Sequence, residues 1–181
     1  MSSSASQNDK EQVYTYKGRV FHTKNFSTLC NSDPELQKIA DAFAQFWKNG
    51  YHPDFGKNAA FARPAEILNL HVRHSHVDTK NYTPEESDKN IRGKESAWDA
   101  WRNIGSVAVR YAPTSDSFLI YSVNEKRDAL VMFFVDENAH SSSEKKELTE
   151  SMISISYKFF EQTKTKEMPL DEDLFSDKWK N

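Results

Sequence analysis

Three histidines fall within six residues, at His71, His74 and His76. On a strand, two-residue spacing puts His74 and His76 on one face and turns His71 to the other. Such a pair can move protons, contact RNA or serve the fold; it can also hold zinc if a third ligand such as Asp54 or Asp78 converges. His140 stands between the last strand and the last helix, where a helix N-terminus would lower its pKa and keep the ring neutral. Asp54 lies in P-D-F-G, where an aspartate either caps a turn or meets a ligand. D-F-G also occurs in protein kinases, but no glycine-rich loop or H-R-D accompanies it here. Cations are scattered over Lys57, Arg63, Arg73, Arg102 and Arg110. Arg110 reads as a mid-strand residue between Val109 and Tyr111, and a sheet face of Arg and Tyr can offer guanidinium to phosphate and ring to base. Metal-independent RNA cleavage needs little more: a base for the 2′-OH, an acid for the 5′-oxygen and a cation for the phosphorane. Thr114-Ser115-Asp116 carries no Ser-His-Asp logic and reads as a β-turn held by side-chain hydrogen bonds.

These residues need a frame. Asn31 to Glu35 is a helix start, with Ser32 or Asp33 as cap and Pro34 in the first turn. Leu36, Ile39, Ala40, Phe43, Phe46 and Trp47 then recur at helical spacing, and Gly50 ends the helix. Arg19 to Thr23 reads as a strand, an arm of a hairpin turning at Lys17-Gly18. Pro53 to Pro64 reads as a loop with a helical turn at Asn58 to Phe61. Further strands are expected at Ile67 to Val77, Val107 to Tyr111, Ser117 to Val123 and Ala129 to Val135. The last is apolar on both faces, as a strand covered on both sides should be. Asp78 to Ser96 is a polar excursion, followed by a short helix at Ala97 to Trp101. Ser141 with Glu144 spells a capping box, and Leu148, Met152, Ile155 and Phe159 mark a final helix. The expected fold is α+β: an antiparallel sheet of four to five strands, with the amphipathic helix and the C-terminal helix packed on one face. A single domain over residues 13–163 is expected, after a disordered lead (1–12) and before a charged tail (164–181). That tail either floats or docks through Leu174, Phe175 and Trp179.

Composition narrows the classes. At 37% hydrophobic residues the chain can build a core, and no apolar run approaches the ~18 residues of a membrane span. Met1 to Lys10 lacks the apolar centre of a signal peptide, so a cytoplasmic protein without membrane partners is expected. One cysteine, Cys30, excludes an intrachain disulfide and a cysteine-based metal cluster. The net charge of −3 argues against a generally basic nucleic-acid binder. The acidity is concentrated late, however. Residues 136–181 hold 7 Lys+Arg against 11 Asp+Glu, whereas residues 55–112 hold 9 against 7, so phosphate contacts fall to the middle.

Several segments, in this order, resemble the YafO family of bacterial type II toxins. They are R-V-F-H-T-K (Arg19 to Lys24), F-W-K-N-G (Phe46 to Gly50), P-D-F-G-K-N (Pro53 to Asn58) and H-S-H-V (His74 to Val77). T-S-D-S-F-L-I-Y (Thr114 to Tyr121), A-L-V-M-F-F-V (Ala129 to Val135) and D-E-N-A-H (Asp136 to His140) follow. The resemblance runs from about Arg19 to Phe160. Gly56-Lys57-Asn58 stands where the family has G-R-D, and Ser141-Ser142-Ser143 where it has A-R-D. The resemblance implies a ribosome-dependent mRNA interferase, held in check by a cognate antitoxin, with a fold akin to RelE-like toxins. Residue types, strand placement and motif match together nominate His74, His76, Arg110 and His140 as catalytic. They nominate Asp54, Lys57, Arg63, Arg73 and Tyr121 as RNA or phosphate contacts. No metal and no cofactor is expected; mRNA, the ribosome and an antitoxin are the expected partners. The competing readings are a catalytically inactive protein-binding module on the same scaffold and a metal-dependent hydrolase.

Overall fold

The computed structural model describes residues 15–105 and 109–181. Strand β1 (Val20–His22) leads into helix α1 (Lys24–Ser32), whose N-cap Thr23 accepts from the Phe26 amide. Helix α2 (Pro34–Asn49) starts as its sequence dictates, with the Asp33 carboxylate accepting from the Glu35 and Leu36 amides. Gly50 ends it at φ 78°. Strand β2 (Phe55–Ala60), helix α3 (Ala65–Asn69) and strand β3 (Arg73–Val77) follow. A long excursion with one 3-10 turn leads to helix α4 (Glu95–Ile104). Strands β4 (Phe118–Val123) and β5 (Ala129–Val135), helix α5 (Ala139–Ser143) and helix α6 (Lys146–Thr163) complete the order.

The five strands form one sheet in the order β1-β5-β4-β3-β2. Four pair antiparallel in sequence, and β1 runs parallel to β5; among the described residues no arm before Lys17-Gly18 pairs with β1 as the expected hairpin would. The fold is α+β as expected, with helices on both faces rather than one. Helix α2 buries Phe43, Phe46 and Trp47 against Val77, Leu119, Tyr121 and Val131. Helix α6 buries Met152, Phe159 and Phe160 against Phe118, Ile120, Leu130 and Met132 on the other side. Burying each such side chain contributes about 1.5–3 kcal/mol. Strands β4 and β5, apolar at every position but Ser122, carry apolar side chains on both faces, and that is what allows two covering layers.

Three local expectations fail for identifiable reasons. Ile67 to Val77 is not one strand: Ala65–Asn69 closes a helical turn, and His71 takes φ 52°, so extended pairing begins only at Arg73. Pro53 to Pro64 is not all loop. Ala60, Ala59 and Asn58 pair with Arg73, His74 and Ser75, and these ladder bonds organise a segment of weak intrinsic preference. The capping box at Ser141 goes unused: α6 starts at Lys146 and makes no side-chain cap bond. Of the strand expected at Val107 to Tyr111, the first two residues lie outside the described residues; Val109 to Tyr111 belongs to no strand.

The segment after Thr163 docks. Met168 and Leu174 are buried in the α2-side core, and Phe175 packs edge-on to Tyr16 at 5.3 Å between ring centres. At the centre of this junction is Arg127, fully buried with φ 62°. Its guanidinium donates to the carbonyls of Lys17, Trp47 and Leu174, and lies over the rings of Trp47 (4.4 Å), Phe175 (4.9 Å) and Tyr16 (5.0 Å). Burial lowers its pKa to about 10, still protonated at neutral pH. One side chain therefore ties the first described residues, α2 and the C-terminal segment together.

Candidate active site

The register of β3 against β4 decides which candidate groups meet. His74 pairs with Ile120 and His76 with Phe118, so both histidines face the α6 side. Arg73 and Ser75 pair with Tyr121 and Leu119 and face the α2 side. His74 lies between two rings, 4.6 Å from Phe61 and 4.3 Å from Phe118, and its Nδ1 has no hydrogen-bond partner among the described residues. His76 is 5.3 Å from His74 and 5.8 Å from His140, ring centre to ring centre. Three imidazoles, two from β3 and one from α5, thus line one patch at the end of the sheet.

The three rings are not equivalent. His76 is 2% exposed, with Nδ1 at 2.7 Å from the Ser115 carbonyl. Burial lowers its pKa to about 4, opposed by the Ser115 bond and reinforced by His140, Lys57 and Arg92. Burial lowers His74 to about 3, with His76, His140, Lys57 and Arg73 adding repulsion. Both rings are neutral at pH 7 and cannot serve as proton donors there. His140 differs: its side chain is 68% exposed, and the Asp116 carboxylate lies 2.7 Å from its Nδ1. The same oxygen accepts from the His140 amide at 3.1 Å. Desolvation raises the Asp116 pKa, but the bonds from His140 and Ala139 outweigh it and hold the carboxyl below its ordinary range. In the neutral ring, a carboxylate on Nδ1 favours the tautomer with the proton there and leaves the lone pair on Nε2. This is the orienter–base half of a proton-transfer constellation.

Positioning of the patch rests on the loop before β4. The Pro113 carbonyl accepts from the Lys57 amide at 2.8 Å, and Asp116 sits between Ser115 on His76 and Ser117 at the start of β4. Gly56 permits that approach, because a Cβ there would lie 2.3 Å from the Pro113 oxygen. Lys57 is exposed and within electrostatic reach of His74 and His76.

Other expected site residues lie elsewhere. Tyr121 is fully buried, tilted against Phe43 and edge-on to Trp47, and its hydroxyl accepts from the Asn58 side-chain amide; it cannot touch RNA. Arg73 donates to Asn58 at 2.8 Å and to His71 at 2.7 Å on the α2 side, and His71 donates in turn to the Met168 carbonyl at 2.9 Å. Arg73 thus belongs to a chain that fastens the C-terminal segment, not to the histidine face. Asp54 lines a cleft of about 460 Å³ on the α2 side with Asp78, Lys80 and Asp136, its carboxylate 3.8 Å from His52. Arg63 is exposed beyond the end of β2 where Ala60 pairs with Arg73, away from His140. Arg110 is exposed on the loop beside Tyr111, not mid-strand. Asp78, suggested as a third zinc ligand, binds Arg102 and Lys80 instead. Among the described residues no three His, Cys, Asp or Glu side chains are grouped to hold a metal ion. Sequence reasoning missed Asp116 and Arg92. The signal for Asp116 was the T-S-D segment, read as a turn alone; for Arg92 there was none.

The depressed histidines make stability pH-dependent. Above pH 7 both are neutral in either state. As pH falls below about 6.5, the unfolded chain takes up protons that the native rings refuse until about pH 4 and pH 3. Stability is therefore expected to drop between pH 7 and pH 5, by roughly 2 kcal/mol per histidine at pH 5. His74→Phe, which fills the same ring sandwich, should remove its share. A thermal midpoint that stays flat across this window in the unmodified protein would contradict the buried neutral pair.

The frame is an α+β sheet carrying, at one end, an imidazole oriented by a carboxylate, next to two buried imidazoles that feel the charge of Lys57. Toxin YafO, of type II toxin–antitoxin systems, is the family whose model matches, over residues 44–161. The matched span runs from the last turns of α2 through most of α6 and includes the whole histidine patch. The chain belongs to this family of type II toxin–antitoxin toxins. Membership implies an antitoxin as partner. No curated protein and no solved structure gave a match. Among the described residues no helix is long and apolar enough to cross a membrane.

Proposed function

We propose that this toxin is an endoribonuclease that cuts mRNA on the translating ribosome, in the cytoplasm, by metal-independent acid–base chemistry. The observation that carries the reading is the Asp116–His140 pair, an exposed imidazole with Nδ1 held by a carboxylate. His140 Nε2 takes the proton of a ribose 2′-OH. The 2′-oxygen bonds to the adjacent phosphorus as the bond to the 5′-oxygen breaks. Lys57 supplies positive charge to the phosphorane and the proton for the departing 5′-oxygen. The products are a 2′,3′-cyclic phosphate and a 5′-hydroxyl. His74 and His76 form a neutral wall behind the reacting atoms and offer hydrogen bonds rather than protons. The burial of Tyr121 and the structural role of Arg73 favour the alternative of an inactive protein-binding module, which needs no free base. An exposed imidazole oriented by a carboxylate has no use in that module.

The test is to add purified protein to a translating extract and map the ends of the message. Fragments with cyclic phosphate and 5′-hydroxyl ends are expected, and a 2′-deoxy substitution at the cleaved position should block cutting there. An intact message, or fragments with 3′-hydroxyl and 5′-phosphate ends, overturns the mechanism.

A further inference from the structure

The loop that delivers Ser115 and Asp116 begins at a feature the proposed chemistry leaves unused. Tyr111 is 57% exposed. The guanidinium of Arg110 stands 5.1 Å from its ring centre and that of Arg92 stands 5.6 Å away. Neither arginine has an ion pair among the described residues, so two positive charges flank an exposed ring without a carboxylate to neutralise them. Arg92 is anchored: its Nε donates to the Ala112 carbonyl at 2.9 Å, and its own carbonyl accepts from the Thr114 amide at 2.9 Å. Arg110 is exposed and makes no hydrogen bond among the described residues, so it can swing off the ring onto an anion and uncover the ring face. The loop itself is pinned to β2 beside Lys57 through the Pro113 carbonyl.

An exposed aromatic with two guanidinium groups over it, neither ion-paired among the described residues, on the loop that holds the Asp116 carboxylate, suits a base followed by its phosphate. We propose that Tyr111 is the stacking platform for a base of single-stranded RNA beside the linkage to be cut, with Arg110 taking the adjoining phosphate and Arg92 holding the ring in place. This inference rests on the endoribonuclease reading and adds a subsite to it.

The full chain carrying His140→Ala keeps RNA intact and serves as the parent. Its binding to a fluorescein-labelled single-stranded RNA of mixed sequence is followed by anisotropy over a range of salt. Adding Tyr111→Ala should weaken binding about tenfold without changing the salt slope, and Tyr111→Phe should bind as the parent does. Adding Arg110→Gln should lower the salt slope by about one phosphate contact. Parental affinity in the Tyr111→Ala protein overturns the platform, as does a parent that fails to bind this RNA. Message cleavage by the unmodified protein in a translating extract judges the nuclease reading separately, so the two can fail independently.

Discussion

Replacing His140 with alanine should slow message cleavage in a translating extract by about 100-fold or more, the usual contribution of a positioned general base. The thermal midpoint should hardly move. The side chain is 68% exposed and packs only at the rim, its ring 4.7 Å from Phe118. Asp116→Asn should give a smaller loss. An asparagine oxygen can still accept from Nδ1, but it no longer supports the positive charge the ring acquires as it takes the proton. His76→Phe should cost less activity than His140→Ala, because His76 is already neutral and enclosed. Equal cleavage by the His140→Ala protein and the unmodified one removes His140 as the base. A loss of activity matched by a fall in thermal midpoint would instead assign the residue to the fold.

The largest loss of stability is expected at Arg127. Arg127→Ala leaves the carbonyls of Lys17, Trp47 and Leu174 without a donor and opens a void among Tyr16, Trp47 and Phe175. Unsatisfied buried carbonyls and a cavity of this size together cost about 3–5 kcal/mol. For a chain of this length that lowers the thermal midpoint by roughly 10 °C. Arg127→Lys keeps the charge but offers no planar fork to three separated carbonyls, so it should lie in between. Arg127→Gly relieves the φ of 62° and should be less harmful than alanine while still well below the parent. Calorimetry on the three variants checks the order. A near-native midpoint for Arg127→Ala would mean that the C-terminal segment holds its place by its apolar residues alone. Protease resistance of residues 164–181 should fall with the midpoint, since Arg127 bonds directly to Leu174.

Much of the frame was legible before any coordinates. Helix α2 carries every local signal at once: an Asp33 cap, Pro34 in the first turn, an apolar stripe and a left-handed Gly50. Where cap, period and terminator agree, local preference and tertiary packing pull the same way. The two-residue spacing of His74 and His76 likewise fixed their shared face once β3 formed. The capping box at Ser141 shows the converse. Its residues are right, but α5 occupies the segment and the local bond is given up.

The site itself was only half readable. His140 stood out by type and place, whereas Asp116 looked like an ordinary turn residue, because its meaning depends on a partner from another part of the chain. Arg73 and Tyr121 were attractive as types, yet the register of β3 on β4 sends both to the α2 side. A one-residue slip in that register would exchange the faces, sending Arg73 to the α6 side and both β3 histidines to the α2 side.

The amino-acid order alone settled the α+β class, the two long helices and a basic, histidine-bearing middle, since these depend on spacing and on neighbours along the chain. The tertiary structure decided that β1 runs parallel to β5, that the C-terminal segment is fastened by Arg127, and that Asp116 meets His140. Those outcomes turn on contacts between distant segments, whose free energy arises from burial and pairing that no short window of sequence contains.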